Sequence, residues 1–214
     1  MANEPTIENL LAGRLSVGIA LYSGLSLLSD PPLRRFIQEQ SREIRTAHAA
    51  ALPPGYAYSR RLYKSFHVDP TKHRPSSEAL WRRLRDRDDF PMVNPPVDLT
   101  NLLSLKYQVC YGLYDLGRLH GPVTIALGGA GDQYQGIRKE TLNFSGKIVL
   151  RDDLGAFGNP SADSLRASVD ESSRDIMLAL FFHPDDPGKG RILSETVAAF
   201  SKFFAVTGSR SFFI

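Results

Sequence analysis

The chain has 214 residues, 42% of them hydrophobic and 23% charged, with a formal net charge of +3 at pH 7. A chain of this length buries roughly 70% of its unfolded surface, so it needs no disulfide or metal staple and makes one domain, 1–214, with a division into lobes 1–110 and 111–214 as the alternative. Its single cysteine, Cys110, excludes an internal disulfide and fits a reducing cytoplasm.

Residues 15–28 form the first apolar run. Gly18, Tyr22 and Gly24 interrupt it, Glu4 and Glu8 precede it, and it is too short to cross a bilayer. It reads as a buried strand and turn, and no membrane partner is expected. Asp30-Pro31-Pro32 then opens a helix over 31–47, with Asp30 as N-cap and proline in the first turn. Leu33, Phe36, Ile37 and Ile44 fall at helical spacing and give it a core-facing side. Pro53-Pro54-Gly55 breaks the chain, and Asp69-Pro70 is a turn.

A second helix, 76–86, starts at Ser76 as N-cap and carries Leu80 and Leu84 on one face. Residues 88–92 form a loop. A third helix, 98–108, starts at Asp98, whose carboxylate caps the amides of Thr100 and Asn101. Leu99, Leu102, Leu103 and Leu105 make it apolar nearly all round, hence buried. Cys110, just past it, reads as a packed thiol, since no cysteine-nucleophile signature surrounds it.

The second half turns to strands. Residues 123–127 alternate and are β-branched. Gly128-Gly129-Ala130-Gly131-Asp132 is a hairpin turn: the third glycine of a dinucleotide loop is missing and no helix follows. Residues 147–150 form a strand ending in a turn at Asp152-Asp153, and 176–182 a buried strand. The chain closes on an amphipathic helix, 190–206, with Leu193, Val197, Phe200 and Phe204 on one face and Gly208 as its stop. The fold class expected is α+β, with a mixed, largely antiparallel β core and covering helices.

Charge is unevenly spread. Arg60, Arg61, Lys64, Lys72, Arg74, Arg82, Arg83, Arg85 and Arg87 meet only Asp69, Glu78 and Asp86 in residues 59–87, a local net charge of +6. Such a field suits a phosphate backbone. A solvated helix face, with Asp86, Asp88 and Asp89 as partners, explains it equally well. None of the five histidines, His48, His67, His73, His120 and His183, stands at metal-ligand spacing from another ligand, so no metal and no cofactor is expected. His183-Pro184-Asp185-Asp186 reads as a structural loop. There is no serine-hydrolase elbow and no phosphate-binding P-loop.

Three segments carry a family resemblance. Residues 75–84 read P-S-S-E-A-L-W-R-R-L, residues 91–101 P-M-V-N-P-P-V-D-L-T-N, and residues 112–115 G-L-Y-D. They resemble the B3/B4 domain of the phenylalanyl-tRNA synthetase beta subunit, whose pattern runs P-S-x-x-x-L-x-R-R-L, P-I-N-x-V-V-D-x-T-N, then H-A-F-D. The lead-in Y-K-S-F-H-V-D-P-T-K-H-R at 63–74, Asp153 with Gly155, Leu165-Arg166 and Asp170-Glu171 resemble stand-alone members. In the synthetase this domain recognises and hydrolyses mischarged tyrosyl-tRNA. The resemblance therefore implies a β-rich editing domain standing alone in the cytoplasm. It would bind aminoacyl-tRNA and hydrolyse mischarged species in trans. A non-catalytic tRNA or amino-acid binding module is the alternative, and an esterase that has reused the pocket is a third reading.

Carried over by position, Asn94 matches the asparagine of P-I-N, and Asp98, Thr100 and Asn101 match D-x-T-N. Helix capping also accounts for Asp98 and Asn101. The substrate pocket implied comprises Arg74, Ser76, Ser77, Glu78, Asn94, Gly112, Tyr114 and Asp115. Glu78 also suits the first turn of a helix. The tRNA-binding residues implied are Arg60, Arg61, Lys64, Lys72, Arg82 and Arg83. Bacterial synthetases place histidine where this chain has Gly112, so the catalytic residue does not carry over, and Gly112 leaves space for water or a larger side chain. An aminoacyl ester is labile enough for oriented water and fixed polar groups to hydrolyse it.

Overall fold

The computed structural model of the chain describes residues 4–49, 52–53, 55–87, 90–138 and 140–214. Pro54 of the expected break and Asp88 and Asp89 of the expected loop lie outside these. In chain order the elements are β1 (Ile7–Asn9), β2 (Ser16–Ser23), β3 (Ser26–Leu27), α1 (Asp30–Ala47), α2 (Tyr56–Ser65), α3 (Ser76–Arg87) and α4 (Pro95–Tyr107). They continue with β4 (Cys110–Asp115), a 3-10 turn (Leu116–Arg118), β5 (Val123–Leu127), β6 (Gln133–Gln135), β7 (Thr141–Asn143), β8 (Ile148–Asp152) and β9 (Gly155–Gly158). The last are β10 (Ile176–Phe182), α5 (Lys189–Phe203), β11 (Phe204–Ala205) and β12 (Gly208–Phe213).

Two four-stranded sheets organise the chain, in the orders β12-β2-β10-β4 and β1-β5-β8-β9. Every pairing in them is antiparallel except β1 with β5. The fold is α+β with a mixed, largely antiparallel core, as expected.

The centre is β10, I-M-L-A-L-F-F, buried at all seven positions. A strand covered on both faces needs apolar side chains on both, so the run is continuous rather than alternating. On one face Ile176, Leu178, Leu180 and Phe182 join Leu33 and Ile37 of α1, Leu99 and Leu103 of α4, and Phe200 of α5. On the other, Met177, Ala179 and Phe181 join Leu62 and Tyr63 of α2 with Val123, Ile125, Leu150 and Phe157 of the second sheet. The first sheet is thus the middle layer, between helices and the second sheet. Burying each large side chain contributes about 2 kcal/mol toward folding.

β4 lies beside β10, with Gly112 opposite Ala179. Tyr111 and Leu113 point to the helical face, and Cys110 and Tyr114 to the second sheet. By the two-residue period, Gly112 also faces the second sheet.

Several elements depart from expectation. The buried helix begins at Pro95, three residues before Asp98, because Asn94 caps it by accepting from the Val97 amide at 3.1 Å. Asp98 instead accepts from the Val93 amide at 2.6 Å. The N-cap of α1 is Ser29, which makes no side-chain cap bond, while Asp30 pairs with Arg34. Ser76 Oγ is buried without a hydrogen-bond partner among the described residues, so it caps nothing. The last helix ends at Phe203, since Phe204 turns extended to pair with Leu27, and Gly208 opens β12. The glycine turn at 128–132 leads into β6, which pairs with β7, while β5 pairs with β1 and β8. Among the described residues no helix is long and apolar enough to cross a membrane.

Candidate functional site

The short helix α2 faces α3 across Glu78, whose side chain is 1% exposed. Arg60 of α2 donates to it twice, Nε to Oε2 at 2.9 Å and Nη2 to Oε1 at 3.1 Å. Arg82, one turn further along α3, donates from Nε at 3.0 Å, and Arg74 stands 3.4 Å away. Burial pushes the Glu78 carboxyl up, but hydrogen bonds from Arg60, Tyr56 and Arg82 outweigh it, and the net shift is down. Glu78 is therefore a buried anion holding three arginines. The structure brings Arg60, Arg74, Arg82 and Glu78 together.

The other basic candidates are placed apart from this group. Arg61 pairs with Asp185 at 3.2 Å. Lys64 is exposed on α2 and Lys72 in the turn before α3. Arg83, half-buried on α3, has a partner of its own.

Three of the proposed pocket residues meet on the second-sheet face of β4. Ser77, fully buried, has its Oγ 4.0 Å from Cys110 Sγ. Tyr114 folds back over Gly112: a Cβ at Gly112 would stand 2.5 Å from Tyr114 Cζ, and one at Gly158 2.6 Å from the same atom. Both distances lie well inside van der Waals contact, so the two glycines make the slot that the tyrosine fills. The space beside Gly112 admits no water and no larger side chain; it already holds the Tyr114 hydroxyl.

That hydroxyl donates to Asp163 Oδ1 at 2.7 Å. Burial raises the Asp163 carboxyl to about 7, with the Tyr114 and Leu113 hydrogen bonds pulling part of the way back. Burial likewise holds Tyr114 neutral, well above the usual phenol range. Nothing in the sequence singled out Asp163, which sits in a Ser-Ala-Asp-Ser run that reads as an ordinary turn.

Asn94 and Asp115 have structural partners away from Gly112. Asn94 caps α4, and its Nδ2 donates to the Val169 carbonyl at 3.3 Å, on the helical face of the sheet. The expected convergence of Asn94 with Gly112 does not occur, because they belong to opposite faces of β4. Asp115 accepts from the Gly117 amide at 2.8 Å and from Ser173 Oγ at 2.6 Å. Arg166 is likewise committed, donating twice to Asp152 at 2.9 Å.

One of several cavities lies beside the Tyr114 slot rather than in it. It measures ≈ 360 Å³ and runs between the end of α2, β7, the start of β8 and the loop after β9. Tyr63, Phe66, Phe144 and Ile148 supply apolar walls, and His73, Lys147, Asn159 and Ser161 the polar groups. Tyr63 and Ser161 share a 2.6 Å hydrogen bond across it. Asn159 is used structurally, donating to the Ile148 carbonyl at 2.5 Å and accepting from the Ser161 amide at 2.7 Å. His73 is exposed at the cavity rim, and partial desolvation and the nearby Lys147 lower its pKa from 6.5, which favours the neutral imidazole near pH 7. Of the eight expected pocket residues, none lines this cavity; Arg74 follows His73 directly. Sequence reasoning missed it because its walls come from four separate elements. Among the described residues no group of His, Cys, Asp or Glu is placed to hold a metal ion.

The B3/4 domain family matches residues 58–187, well over half of the chain, and the chain belongs to that family. The match begins in α2 and ends before α5. The strands β2 and β12, which complete the first sheet beyond β10, thus lie outside it. An N-terminal fragment of the phenylalanyl-tRNA synthetase beta subunit from Pyrococcus horikoshii is similar over 95% of this chain, at 11% identity and a TM-score of 0.44. The chain spans about half of that fragment, 54% of its length. No curated protein matches this chain.

Proposed function

We propose that this chain binds aminoacyl-tRNA and hydrolyses mischarged species in trans, taking the aminoacyl end into the cavity between Tyr63, Phe144 and His73. The observation that carries the reading is this cavity. Its volume, ≈ 360 Å³, is at the small end of ligand sites. Aromatic walls with a few polar groups suit an amino-acid side chain joined to a ribose. The motif resemblance at 75–115 and membership of the B3/4 family supply the substrate class, and the Arg60–Arg74–Arg82 group the positive field.

His73 is the side chain lining the cavity that is best suited to accept a proton from water. A neutral imidazole near pH 7 is an effective general base. Lys147, beside it, is placed to offset charge developing on the ester oxygen.

A second reading, binding without turnover, is favoured by the Tyr114 slot. The position where bacterial synthetases carry histidine holds a packed tyrosine, and no side chain there faces open space. Purified protein incubated with defined mischarged tRNAs separates the two. Release of the amino acid above the spontaneous rate supports the hydrolase, and retention of bound aminoacyl-tRNA without release supports the binding module.

A further inference from the structure

Glu78 is one carboxylate shared by three guanidinium groups, which leaves a net charge of +2 at a single point of the surface. The arginines are not spent on it. Arg82 donates to Glu78 from Nε, and Arg74 Nε stands 3.4 Å from it. Among the described residues no hydrogen bond from the terminal amino groups of either is found. Their side chains are 40% and 42% exposed, and that of Arg60 26%.

A lone surface arginine loses rotamer freedom when it grips a ligand. Here the buried anion has already removed that freedom, and a pre-organised guanidinium fork matches phosphate oxygens in pairs. The Glu78 carboxyl stays ionised, so the framework persists through the neutral range.

We infer that Arg60, Arg74 and Arg82, oriented by Glu78, form a phosphate-binding site next to the cavity. Arg74 directly follows His73, which lines the cavity, and consecutive Cα atoms lie about 3.8 Å apart. The backbone that carries Arg74 thus continues the cavity wall, and a phosphate held by Arg74 is assigned to the last phosphodiester of an aminoacylated RNA. Binding of phosphate stands on the geometry alone; its assignment to an RNA phosphate rests on the functional reading above.

The test is an NMR titration of the arginine Nε–H signals in the full chain with inorganic phosphate, against sodium chloride at matched ionic strength. Saturable shifts of the Arg74 and Arg82 signals with phosphate alone are expected. Arg74→Ala/Arg82→Ala should bind phosphate at least about tenfold more weakly, with its circular dichroism unchanged because both side chains are substantially exposed. Arg74→Lys/Arg82→Lys, which keeps the charge and loses the fork, should fall between. A non-aminoacylated RNA hairpin ending in CCA should shift the same signals, and phosphate should compete with it. Shifts identical in chloride, or unchanged phosphate affinity in the alanine variant, overturn the site. Phosphate binding without any response to the hairpin overturns the assignment to RNA. Absence of deacylation by the wild-type chain, with phosphate binding intact, removes the hydrolase reading and leaves this site standing.

Discussion

The hydroxyl of Tyr114 occupies the place that a side chain at Gly112 would take. Two residues apart on β4, they point to the same face, and Gly158 closes the slot from the other side. A methyl group at either glycine must displace a fully buried ring that is anchored to Asp163. Gly112→Ala and Gly158→Ala should each lower stability by about 1–3 kcal/mol, read as a shift of the urea midpoint at constant slope. Wild-type stability in Gly112→Ala would mean that the tyrosine is free to leave.

Asp163 makes stability fall with pH. Its folded pKa, about 7, is raised above the ordinary 3.8. The stabilisation from keeping it neutral is fully present below pH 3.8 and is lost as pH rises through about 7. Asp163→Asn removes that loss while its amide oxygen still accepts from Tyr114. The variant should gain on the wild type in urea denaturation at pH 8 relative to pH 5. Parallel pH profiles for the two would show that the carboxyl is not held neutral.

Glu78→Gln keeps the shape and removes the charge that three arginines share. The expected cost is about 2–3 kcal/mol. Arg60→Ala should cost less than this and Arg74→Ala least, since Arg74 makes one 3.4 Å contact and is 42% exposed. Because the folded pKa of Glu78 is depressed, its contribution is present above pH 4.5 and is lost as pH falls through the folded value. Thermal melts of the set between pH 3 and 7 check the order.

Asn94→Ala should cost about 1 kcal/mol through loss of the α4 cap, together with its bond to Val169. Deacylation per folded molecule should be unchanged. A selective loss of deacylation with normal stability would return Asn94 to the site.

Much of the architecture was legible because local chemistry and final burial agree. Pro31-Pro32 marks a helix start, and the run at 176–182 has no polar face to expose. The short strands β1, β6, β7, β9 and β11 were not legible, and neither were three longer elements. β4 is a six-residue apolar run directly after a buried helix, which periodicity alone cannot tell from more helix. α2 carries its buried positions as Ser59, Leu62 and Tyr63 among basic residues, a weak stripe. β12 is mostly exposed, so no apolar pattern announces it. Of the site, the motifs led to Arg74, Glu78, Gly112 and Tyr114. Asp163 and the cavity walls depend on which strands lie side by side, and no local pattern carries that.

Single-turnover release of amino acid from a mischarged tRNA, followed from pH 5 to 8, tests the central claim most directly. The wild-type chain should accelerate release, with a rate that rises as His73 loses its proton and levels off with a midpoint below 6.5, the direction in which that imidazole is shifted. His73→Ala should lower the plateau by about a hundredfold or more, and Ala162→Phe, which fills the cavity, should abolish release; both should still bind the tRNA. Release by the wild-type chain no faster than in buffer, at every pH, would contradict the account.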